Sequence, residues 1–202
     1  HGLFAKVPPL PSSLTRKILE KIMGNRRLGR TDIEIAPLVL GTNVVGWTAD
    51  EKTSFEVLDA FVSEGFTAID TADSYSRWVP GNDSESEKII GRWMKARRNR
   101  SKVHVFTKVG SDMGQGKKDL SAKWILEEVE ASLKRLQTDY IDLYQSHWPD
   151  PTIKQEETLA AYDKLIGAGK VRHIGASNYD APLLAEALKL SEAKNLPRYQ
   201  TL

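Results

Sequence analysis

The segment Phe66-Thr-Ala-Ile-Asp-Thr-Ala-Asp-Ser-Tyr75 decides how the rest of this 202-residue sequence is interpreted. It opens with a short apolar run that has a β-branched residue next to Asp70, and the run stops at that carboxylate. Such a run is typical of a buried β-strand. Tyr75 follows five residues later, in what we expect to be a loop. The segment therefore predicts a strand whose carboxyl end carries two residues capable of acid–base chemistry.

The same pattern, an apolar strand that ends in a reactive side chain, recurs three times downstream. These strands are Val103-His-Val-Phe-Thr-Lys108, Tyr140-Ile-Asp-Leu-Tyr-Gln-Ser-His147 and Val171-Arg-His-Ile-Gly-Ala-Ser-Asn178. Helical patterns separate them, and this alternation predicts a parallel sheet with right-handed crossovers. Parallel strands place their carboxyl ends at one edge, where α/β folds build their active sites. We therefore expect four reactive side chains to share one rim. They are Asp70, Tyr75, Lys108 and His147.

Composition narrows the class of protein. The sequence is 40% hydrophobic and 28% charged, which is ordinary for a globular protein, and its net charge of +2 does not favour a nucleic-acid partner. It contains no cysteine, which excludes disulfides and thiolate metal sites and fits a cytoplasmic protein. No apolar run approaches the roughly 18–20 residues that span a bilayer, so we expect no membrane association.

We expect two regions along the chain. We predict that residues 1–25 form an N-terminal extension. It has an irregular proline-containing stretch followed by a short amphipathic helix that ends at Met23. A basic targeting presequence is the alternative for this region. Residues 26–202 form the main domain, which begins with a β-hairpin because Gly29-Arg-Thr-Asp32 is a turn sequence between two extended pieces.

The spacing of the elements is compatible with two α/β architectures. Helices are predicted at 51–64, from a cap at Ser84, at 121–136, at about 155–167 and at about 181–194, and another strand opens at Tyr199. An eight-unit barrel needs roughly 250 residues, so the sequence supplies five complete units and the start of a sixth strand. An open doubly wound sheet fits the length better, but no Gly-x-Gly-x-x-Gly follows the first core strand.

The four rim side chains together suit proton delivery to a carbonyl oxygen. A free tyrosine, with a pKa of about 10, is a poor acid at neutral pH, and a nearby lysine cation favours its phenolate. A carboxylate would hold the lysine, and a histidine would hydrogen-bond the substrate oxygen. Side chains cannot supply hydride to the carbonyl carbon, which predicts a nicotinamide cofactor. No His-x-His pair occurs, so no metal is expected.

These motifs, in this order, resemble the aldo-keto reductases, a family of (β/α)8 barrels that use NADPH to reduce aldehydes and ketones. The matching segments are Arg27-Leu-Gly-Arg-Thr31, Leu40-Gly-Thr42, Ile69-Asp-Thr-Ala-Asp-Ser-Tyr75, Thr107-Lys108, Asp142-Leu-Tyr-Gln-Ser-His147 and Gly169-Lys-Val-Arg-His-Ile-Gly-Ala-Ser-Asn178. The resemblance implies an α/β fold of the (β/α)8 TIM-barrel type. It covers about the first five βα units and the start of strand six, with an N-terminal β-hairpin.

The resemblance also implies a role for each site residue. Tyr75 would be the general acid, and Lys108 would stabilise its phenolate. Asp70 would pair with Lys108, and His147 would orient the carbonyl group. The implied cofactor-binding residues are Thr42, Asn43, Asp70, Ser177, Asn178 and Gln200. The implied substrate pocket is lined by Trp47, Trp78 and Trp148, for which packing in the core or in loops is the alternative.

The departure from the family lies after the sixth strand. There, family members carry the loop that grips the phosphate end of NADPH and a loop that shapes substrate specificity, and this sequence has no counterpart of either. Three interpretations stay open. The sequence is part of a longer protein, it is an inactive fragment, or two copies self-associate through the open barrel edges. The alternative to an enzyme acting on a small carbonyl compound is a non-catalytic relative that senses the nucleotide.

Overall fold

A computed structural model of the protein describes residues 24–202. The predicted N-terminal helix, and with it almost all of the expected extension, lies outside the described residues. The described chain opens with the expected hairpin, in which β1 (Arg26–Arg27) pairs antiparallel with β2 (Glu34–Ile35).

Five parallel strands form the sheet on which the rest of the fold is built. They are β3 (Val39–Gly41), β4 (Ala68–Asp70), β5 (His104–Val109), β6 (Ile141–Ser146) and β7 (Val171–Ala176). Their order in the sheet is their order in the chain. A doubly wound sheet reverses its strand order at a switch point, whereas a barrel adds every strand on the same side. The unbroken order therefore selects the barrel type from the two predicted architectures.

A sixth strand position begins at Tyr199, which forms a parallel bridge with Ile174 of β7. The backbone N–H of Gln200 donates to the Ile174 oxygen at 2.9 Å, and that of Ala176 donates to the Thr201 oxygen at 3.0 Å. The predicted start of strand six is therefore confirmed.

Five helices connect these strands and cover the outside of the sheet. They are α1 (Glu51–Ser63), α2 (Glu85–Arg97), α3 (Ala122–Leu136), α4 (Gln155–Gly167) and α5 (Ala181–Lys194). Three of them begin at a side-chain cap whose oxygen accepts from a backbone N–H in the first turn, and these caps are Asp50, Ser121 and Asp180. Within residues 24–202 no helix is long and apolar enough to cross a bilayer.

The start of α2 differs from the prediction. Ser84 does precede the helix, but its backbone is left-handed, with φ of 55°, and its hydroxyl caps no backbone N–H. A side-chain cap requires an extended backbone at this position, which the loop before α2 does not provide. The prediction that Ser84 caps α2 is therefore wrong, although the helix begins where it was expected.

Neighbouring residues of the three central strands, β4 to β6, face two different apolar cores. The outer core, between sheet and helices, includes Ile69, Val105 and Tyr144. The inner core fills the barrel with Ala68, Phe106 and Leu143, which pack against Ile33 and Ile35 of the hairpin region. Full burial of one large apolar side chain stabilises a fold by about 1.5–3 kcal/mol. Because Ile33 and Ile35 belong to this inner core, the hairpin closes the amino-terminal end of the barrel. Polar groups occupy the carboxyl end.

Charged groups tie the amino-terminal end together around Asp142, which is 1% exposed. Arg100 Nη2 donates to one carboxylate oxygen at 2.8 Å, and Arg172 Nη1 donates to the other at 3.0 Å. Burial favours the neutral acid, but His104, whose Nδ1 lies 3.5 Å from Asp142 Oδ1, and the charge of Arg100 hold the pKa of Asp142 below its usual value. Arg172 also binds Asp32 of the hairpin turn at 2.8 Å. Asp142 is therefore a charged link between three parts of the fold.

Helices α2 and α3 approach each other most closely at Gly91. A Cβ atom at this position would lie 2.2 Å from the Arg135 carbonyl oxygen and 2.8 Å from the Leu136 carbonyl carbon. Both are backbone atoms of α3, so neither can move aside without shifting that helix. The contact requires a residue without a side chain.

We expect Gly91→Ala to lower the free energy of unfolding by about 1–3 kcal/mol. Overpacking against a backbone should outweigh the roughly 1 kcal/mol by which alanine favours a helix over glycine. Gly167→Ala at the end of α4 is the matched control, because no atom lies within 4 Å of its added Cβ. That control should be neutral or slightly stabilising. Urea denaturation followed by circular dichroism measures both, and equal midpoints for the two variants would show that the α2–α3 contact tolerates a methyl group.

Candidate active site

Lys108 lies at the centre of the rim formed by the carboxyl ends of the strands. Its ammonium nitrogen is 2.5 Å from Asp70 Oδ2, 2.7 Å from the Thr71 carbonyl oxygen and 3.1 Å from the Tyr75 hydroxyl oxygen. Only 6% of the residue is exposed. An ammonium group has three protons, so one is available for each of these oxygens. The structure thus brings Asp70, Tyr75 and Lys108 into direct contact.

The alternation of side chains along the strands explains this convergence. Each polar residue follows, two positions later, a residue of the inner apolar core. The pairs are Ala68 and Asp70, Phe106 and Lys108, and Leu143 and Gln145. Because strand side chains alternate with a period of two, the polar group projects on the same face, one step closer to the carboxyl end. The barrel interior therefore changes from apolar to polar within one step of each strand.

Gln145 is a site residue that the sequence pattern did not single out. Its Nε2 donates to Asp70 Oδ1 at 3.1 Å, so each oxygen of that carboxylate has its own partner. The residue pairs in register with Lys108 on the neighbouring strand. Its two-residue spacing from Leu143 could have indicated that its side chain reaches the site, but a glutamine inside a strand is usually a structural residue.

His147 follows β6 directly and lies across the rim from Tyr75, with 5.8 Å between the ring centroids. The Ser111 hydroxyl contacts His147 Nδ1 at 2.9 Å, and the Ser74 hydroxyl donates to Ser111 at 3.1 Å. Ser111 lies in the polar loop after β5 and is a second site residue that the sequence alone did not indicate. These contacts fix the orientation of the imidazole ring.

The imidazole of His147 is uncharged at neutral pH. Burial, with a smaller effect from the positive charges of Lys108 and Lys118, lowers the pKa of His147 to about 4. A neutral imidazole carries one N–H donor and one acceptor nitrogen. His147 can therefore donate a hydrogen bond without adding a third cation to the site.

The loop that carries Tyr75 is held on both sides. Ser76 has a left-handed backbone with φ of 67°, and its hydroxyl donates to the Val45 oxygen at 2.6 Å. Arg77 Nη2 donates to the Met113 oxygen at 2.9 Å. These bonds join the loops after β3, β4 and β5 into one wall of the rim.

Three tryptophans stand next to the reactive side chains. Trp47 and Trp78 meet edge-on with ring centroids 5.6 Å apart, and Trp78 is 6.4 Å from the Tyr75 ring. Trp148 stacks on His147 at 5.7 Å. Their exposures are 53%, 51% and 37%, so none of the three is a core residue. The rim therefore presents apolar surface beside Tyr75 and His147.

Two residues expected to contact the cofactor, Ser177 and Asn178, follow β7 and reach the rim. Asn178 has a left-handed backbone, with φ of 59°, and its Nδ2 donates to the His147 carbonyl oxygen at 2.8 Å and to Ser177 Oγ at 3.2 Å. These bonds leave the Asn178 Oδ1 acceptor and the Ser177 hydroxyl proton for a ligand.

The other residues expected at the cofactor are placed differently. Thr42 is fully buried, and its hydroxyl lies 2.9 Å from that of Ser86 in α2. Asn43, the next residue, is exposed after β3. Gln200 Oε1 accepts from the backbone N–H of Arg30 at 3.0 Å, which turns its carboxamide towards the hairpin. The assignment of these three residues to the cofactor stays a prediction.

The rim combines a phenol next to a buried ammonium with a neutral imidazole and exposed aromatic rings. This set can deliver a proton to an oxygen atom of a small apolar molecule. Among residues 24–202 no cluster of His, Cys, Asp or Glu is arranged to hold a metal ion.

Comparisons with known proteins point to one family. The family model described as aldo/keto reductase family matches residues 37–198. The Bacillus subtilis (strain 168) protein aldo-keto reductase YhdN is 44% identical over 155 residues, which cover 74% of this chain and 45% of YhdN. The same organism's uncharacterized oxidoreductase YrpG is 38% identical over 174 residues, which cover 83% of this chain and 53% of YrpG.

A solved structure shares both fold and sequence. The aldo-keto reductase AKR11C1 from Bacillus halodurans, in its holo form, matches with a TM-score of 0.72 and 34% identity. The match covers 83% of this chain and 54% of that one, so the chain spans about half the length of these relatives. The family model covers most of the sequence, and the strand order is that of a barrel. The chain therefore belongs to the aldo/keto reductase family.

Proposed function

We propose that the protein reduces aldehydes or ketones to alcohols, with NADPH as the hydride donor and Tyr75 as the general acid. The observation that carries this proposal is the 3.1 Å contact between the Tyr75 hydroxyl and the Lys108 ammonium group. Membership of the aldo/keto reductase family supports the reaction class. A small-molecule carbonyl compound is the proposed partner. A cytoplasmic location, the absence of a nucleic-acid partner and self-association through open barrel edges stay predictions.

Tyr75 gives its hydroxyl proton to the carbonyl oxygen as that oxygen gains negative charge. The phenolate that remains lies against the Lys108 ammonium, which offsets its charge in a poorly solvated site. Asp70 and the Thr71 carbonyl occupy two of the three ammonium protons and so direct the third towards Tyr75. Solvent returns a proton to Tyr75 after the alcohol has left.

His147 orients the same carbonyl oxygen by a hydrogen bond. Because Ser111 accepts a hydrogen bond from Ser74, its own proton is free to point at His147 Nδ1. That arrangement places the imidazole proton on Nε2. The Nε2–H group is then the donor that the substrate oxygen meets.

When bound, NADPH supplies the hydride that adds to the carbonyl carbon. Ser177 and Asn178 fit the carboxamide of the nicotinamide ring, because they offer a hydroxyl donor and an amide acceptor side by side at the rim. These two residues would hold the reactive end of the cofactor beside His147. The preference for NADPH over NADH is part of the proposal.

The proposed substrates are apolar, and aromatic aldehydes suit the rim best. Trp47, Trp78 and Trp148 would form the pocket walls, since Trp78 lies near Tyr75, Trp148 stacks on His147 and Trp47 packs edge-on against Trp78. Aromatic pairs contribute about 0.5–1.5 kcal/mol beyond the burial of their area, which favours a ring on the substrate.

The first test replaces Tyr75 with Phe, which removes the acidic hydroxyl and keeps the ring. The kcat for NADPH oxidation with 4-nitrobenzaldehyde should fall by about 10²–10⁴-fold. The Kd for NADPH, measured by fluorescence titration, should change by less than about twofold. Tyr140→Phe is the control, because Tyr140 packs under Arg100 away from the rim, and it should keep both values. Parallel loss of turnover and binding in Tyr75→Phe would contradict the assigned role. NADPH binding without turnover by the unmodified protein would favour a nucleotide sensor.

The second test uses pH. With a pKa of about 4, His147 is neutral at neutral pH, so kcat/KM should show no step near the ordinary imidazole value of about 6.5. Activity should fall only as the pH approaches about 4, where imidazolium forms beside Lys108. His147→Gln keeps a hydrogen-bond donor but cannot titrate, so its profile should lack the acid fall. The assignment fails if the unmodified protein shows a step at about pH 6–7 that His147→Gln removes.

The third test concerns the pocket. Trp47→Ala should raise the KM for 4-nitrobenzaldehyde by about 10-fold, because a large part of an apolar wall is lost. The same variant should change the KM for acetaldehyde far less, since a two-carbon substrate has little apolar surface to bury against a wall. Steady-state kinetics with both aldehydes gives the comparison. Equal changes for the two substrates would exclude Trp47 from the pocket.

A further inference from the structure

Asp73 lies three residues after Asp70 and two before Tyr75, and its carboxyl group is completely buried. Neither of its oxygens has a hydrogen-bond partner among residues 24–202. Asp70 is the opposite case, because Lys108 and Gln145 each donate to one of its oxygens. A buried carboxylate without donors costs several kcal/mol, so Asp73 needs a separate explanation.

The surroundings of Asp73 hold more acid than base. The titratable or charged groups around it are Glu87 of α2, Glu128 and Arg135 of α3, Tyr144 of β6 and Tyr162 of α4. Three carboxyl groups therefore face a single guanidinium group. If all three were ionised, the cluster would carry an excess of two negative charges over its one cation.

Arg135 gives its hydrogen bonds to the two glutamates and not to Asp73. Its Nε donates to Glu87 Oε2 at 2.6 Å, and its Nη2 donates to Glu128. The other oxygen of Glu87 accepts from the Thr107 hydroxyl at 2.5 Å. The guanidinium group of Arg77, which follows Asp73 in the sequence, donates to Asp83 and to a backbone oxygen. Neither guanidinium group donates a hydrogen bond to Asp73.

We propose that Asp73 is a neutral carboxylic acid in the folded protein, and that its neutrality keeps the segment between Asp70 and Tyr75 in place. It is a positioning residue, since it contacts none of the reacting groups. Ionisation would place a third negative charge in a buried cluster that holds one cation. The backbone N–H of Asp73 donates to the Lys108 oxygen at 3.3 Å, so any shift of this residue moves the turn that carries Tyr75.

The electrostatics of the cluster agree with this proposal. Burial, followed by the negative charges of Glu87 and Glu128, raises the pKa of Asp73 well above its usual value, and the opposing effects of Arg135 and the Ser74 backbone N–H are smaller. Burial also raises the pKa of Glu128, but that carboxyl group keeps the hydrogen bond from Arg135. The proton therefore belongs on Asp73, the carboxyl group that has no side-chain donor.

The sign of the pH dependence follows from linkage. The folded protein holds a proton on Asp73 that the unfolded chain releases at about pH 4, so this residue makes the fold less stable as the pH rises above that value. Asparagine resembles the neutral acid in shape and cannot ionise. The stability of Asp73→Asn relative to the unmodified protein should therefore increase with pH.

Urea denaturation of both proteins at a series of pH values from about 5 to 9 tests this. The folded-to-unfolded ratio of Asp73→Asn, divided by that of the unmodified protein, should rise by up to about tenfold per pH unit. A ratio that stays constant over this range would mean that Asp73 is ionised in the folded protein as well as in the unfolded chain. A constant or a falling ratio overturns the proposal.

Glu87→Gln is the matched control in the same cluster. It removes a carboxyl group that does bind Arg135, so it should be destabilising at neutral pH. Infrared spectroscopy gives a measurement that does not depend on how the Asn variant folds. The unmodified protein and Glu128→Gln should both show the C=O stretch of a protonated carboxylic acid at neutral pH. Its absence from the unmodified protein, or its loss in Glu128→Gln, would overturn the assignment to Asp73.

The positioning role rests on the proposed function and has its own readout. Asp73→Asn should keep the kcat for 4-nitrobenzaldehyde within about twofold at neutral pH, whereas Asp73→Ala, which leaves a cavity under the turn, should lose most of it. Equal kcat values for the two variants would remove the positioning role. If neither the unmodified protein nor any variant turns over the substrate, the proposed function fails. The unfolding and infrared results still decide whether Asp73 is protonated.

Discussion

The ammonium group of Lys108 is a nearly buried cation, and the arrangement of the rim depends on satisfying it. Removing such a charge from water costs several kcal/mol unless anions and dipoles replace the lost hydration. Here a carboxylate, a backbone carbonyl and a phenol do so, and all three come from the six-residue stretch that starts at Asp70. Strand β4, its loop and strand β5 are therefore fixed to one another by a single side chain. The same requirement places Tyr75 at hydrogen-bond distance from a cation, which is the condition for its proposed role.

Buried charged groups are stabilised differently at the two ends of the barrel. At the amino-terminal end, Asp142 is balanced by two arginines, and the hairpin covers the apolar interior. At the carboxyl end the charged groups lie beside exposed aromatic rings. The first arrangement stabilises the fold, and the second leaves hydrogen-bonding capacity for a ligand. This separation is the general rule for barrels, in which chemistry is located at the carboxyl ends of the strands.

Much of this organisation could be predicted from the sequence, because it depends on local patterns. Apolar runs that stop at Asp70, Lys108 and His147 identify the strand ends, and the helical periodicity indicated the bounds of α4 and α5. What could not be predicted depends on contacts across strands or loops. Gln145 matters because its register sets it beside Lys108. The failed Ser84 cap depends on a backbone angle that the sequence around it does not specify.

The same limit applies to residues whose contacts cannot be deduced from their type. The family resemblance implies a cofactor role for Gln200, which stays a prediction, and its carboxamide oxygen accepts from the backbone N–H of Arg30 in the hairpin turn. Asp70 and Asp73 are identical in type and three residues apart, but one is paired with a cation and the other lies among acids. Sequence alone does not distinguish their protonation states.

The exposed tryptophans of the rim also make the site optically visible. Trp47 and Trp78 meet edge-on, and Trp148 stacks on His147, so all three indoles belong to the proposed site or pack against it. Reduced nicotinamide absorbs light at the wavelengths where tryptophan emits. If the proposed cofactor binds at Ser177 and Asn178, it would accept excitation energy from these rings. Its binding would then change the protein's own fluorescence, and no label would have to be attached to follow it.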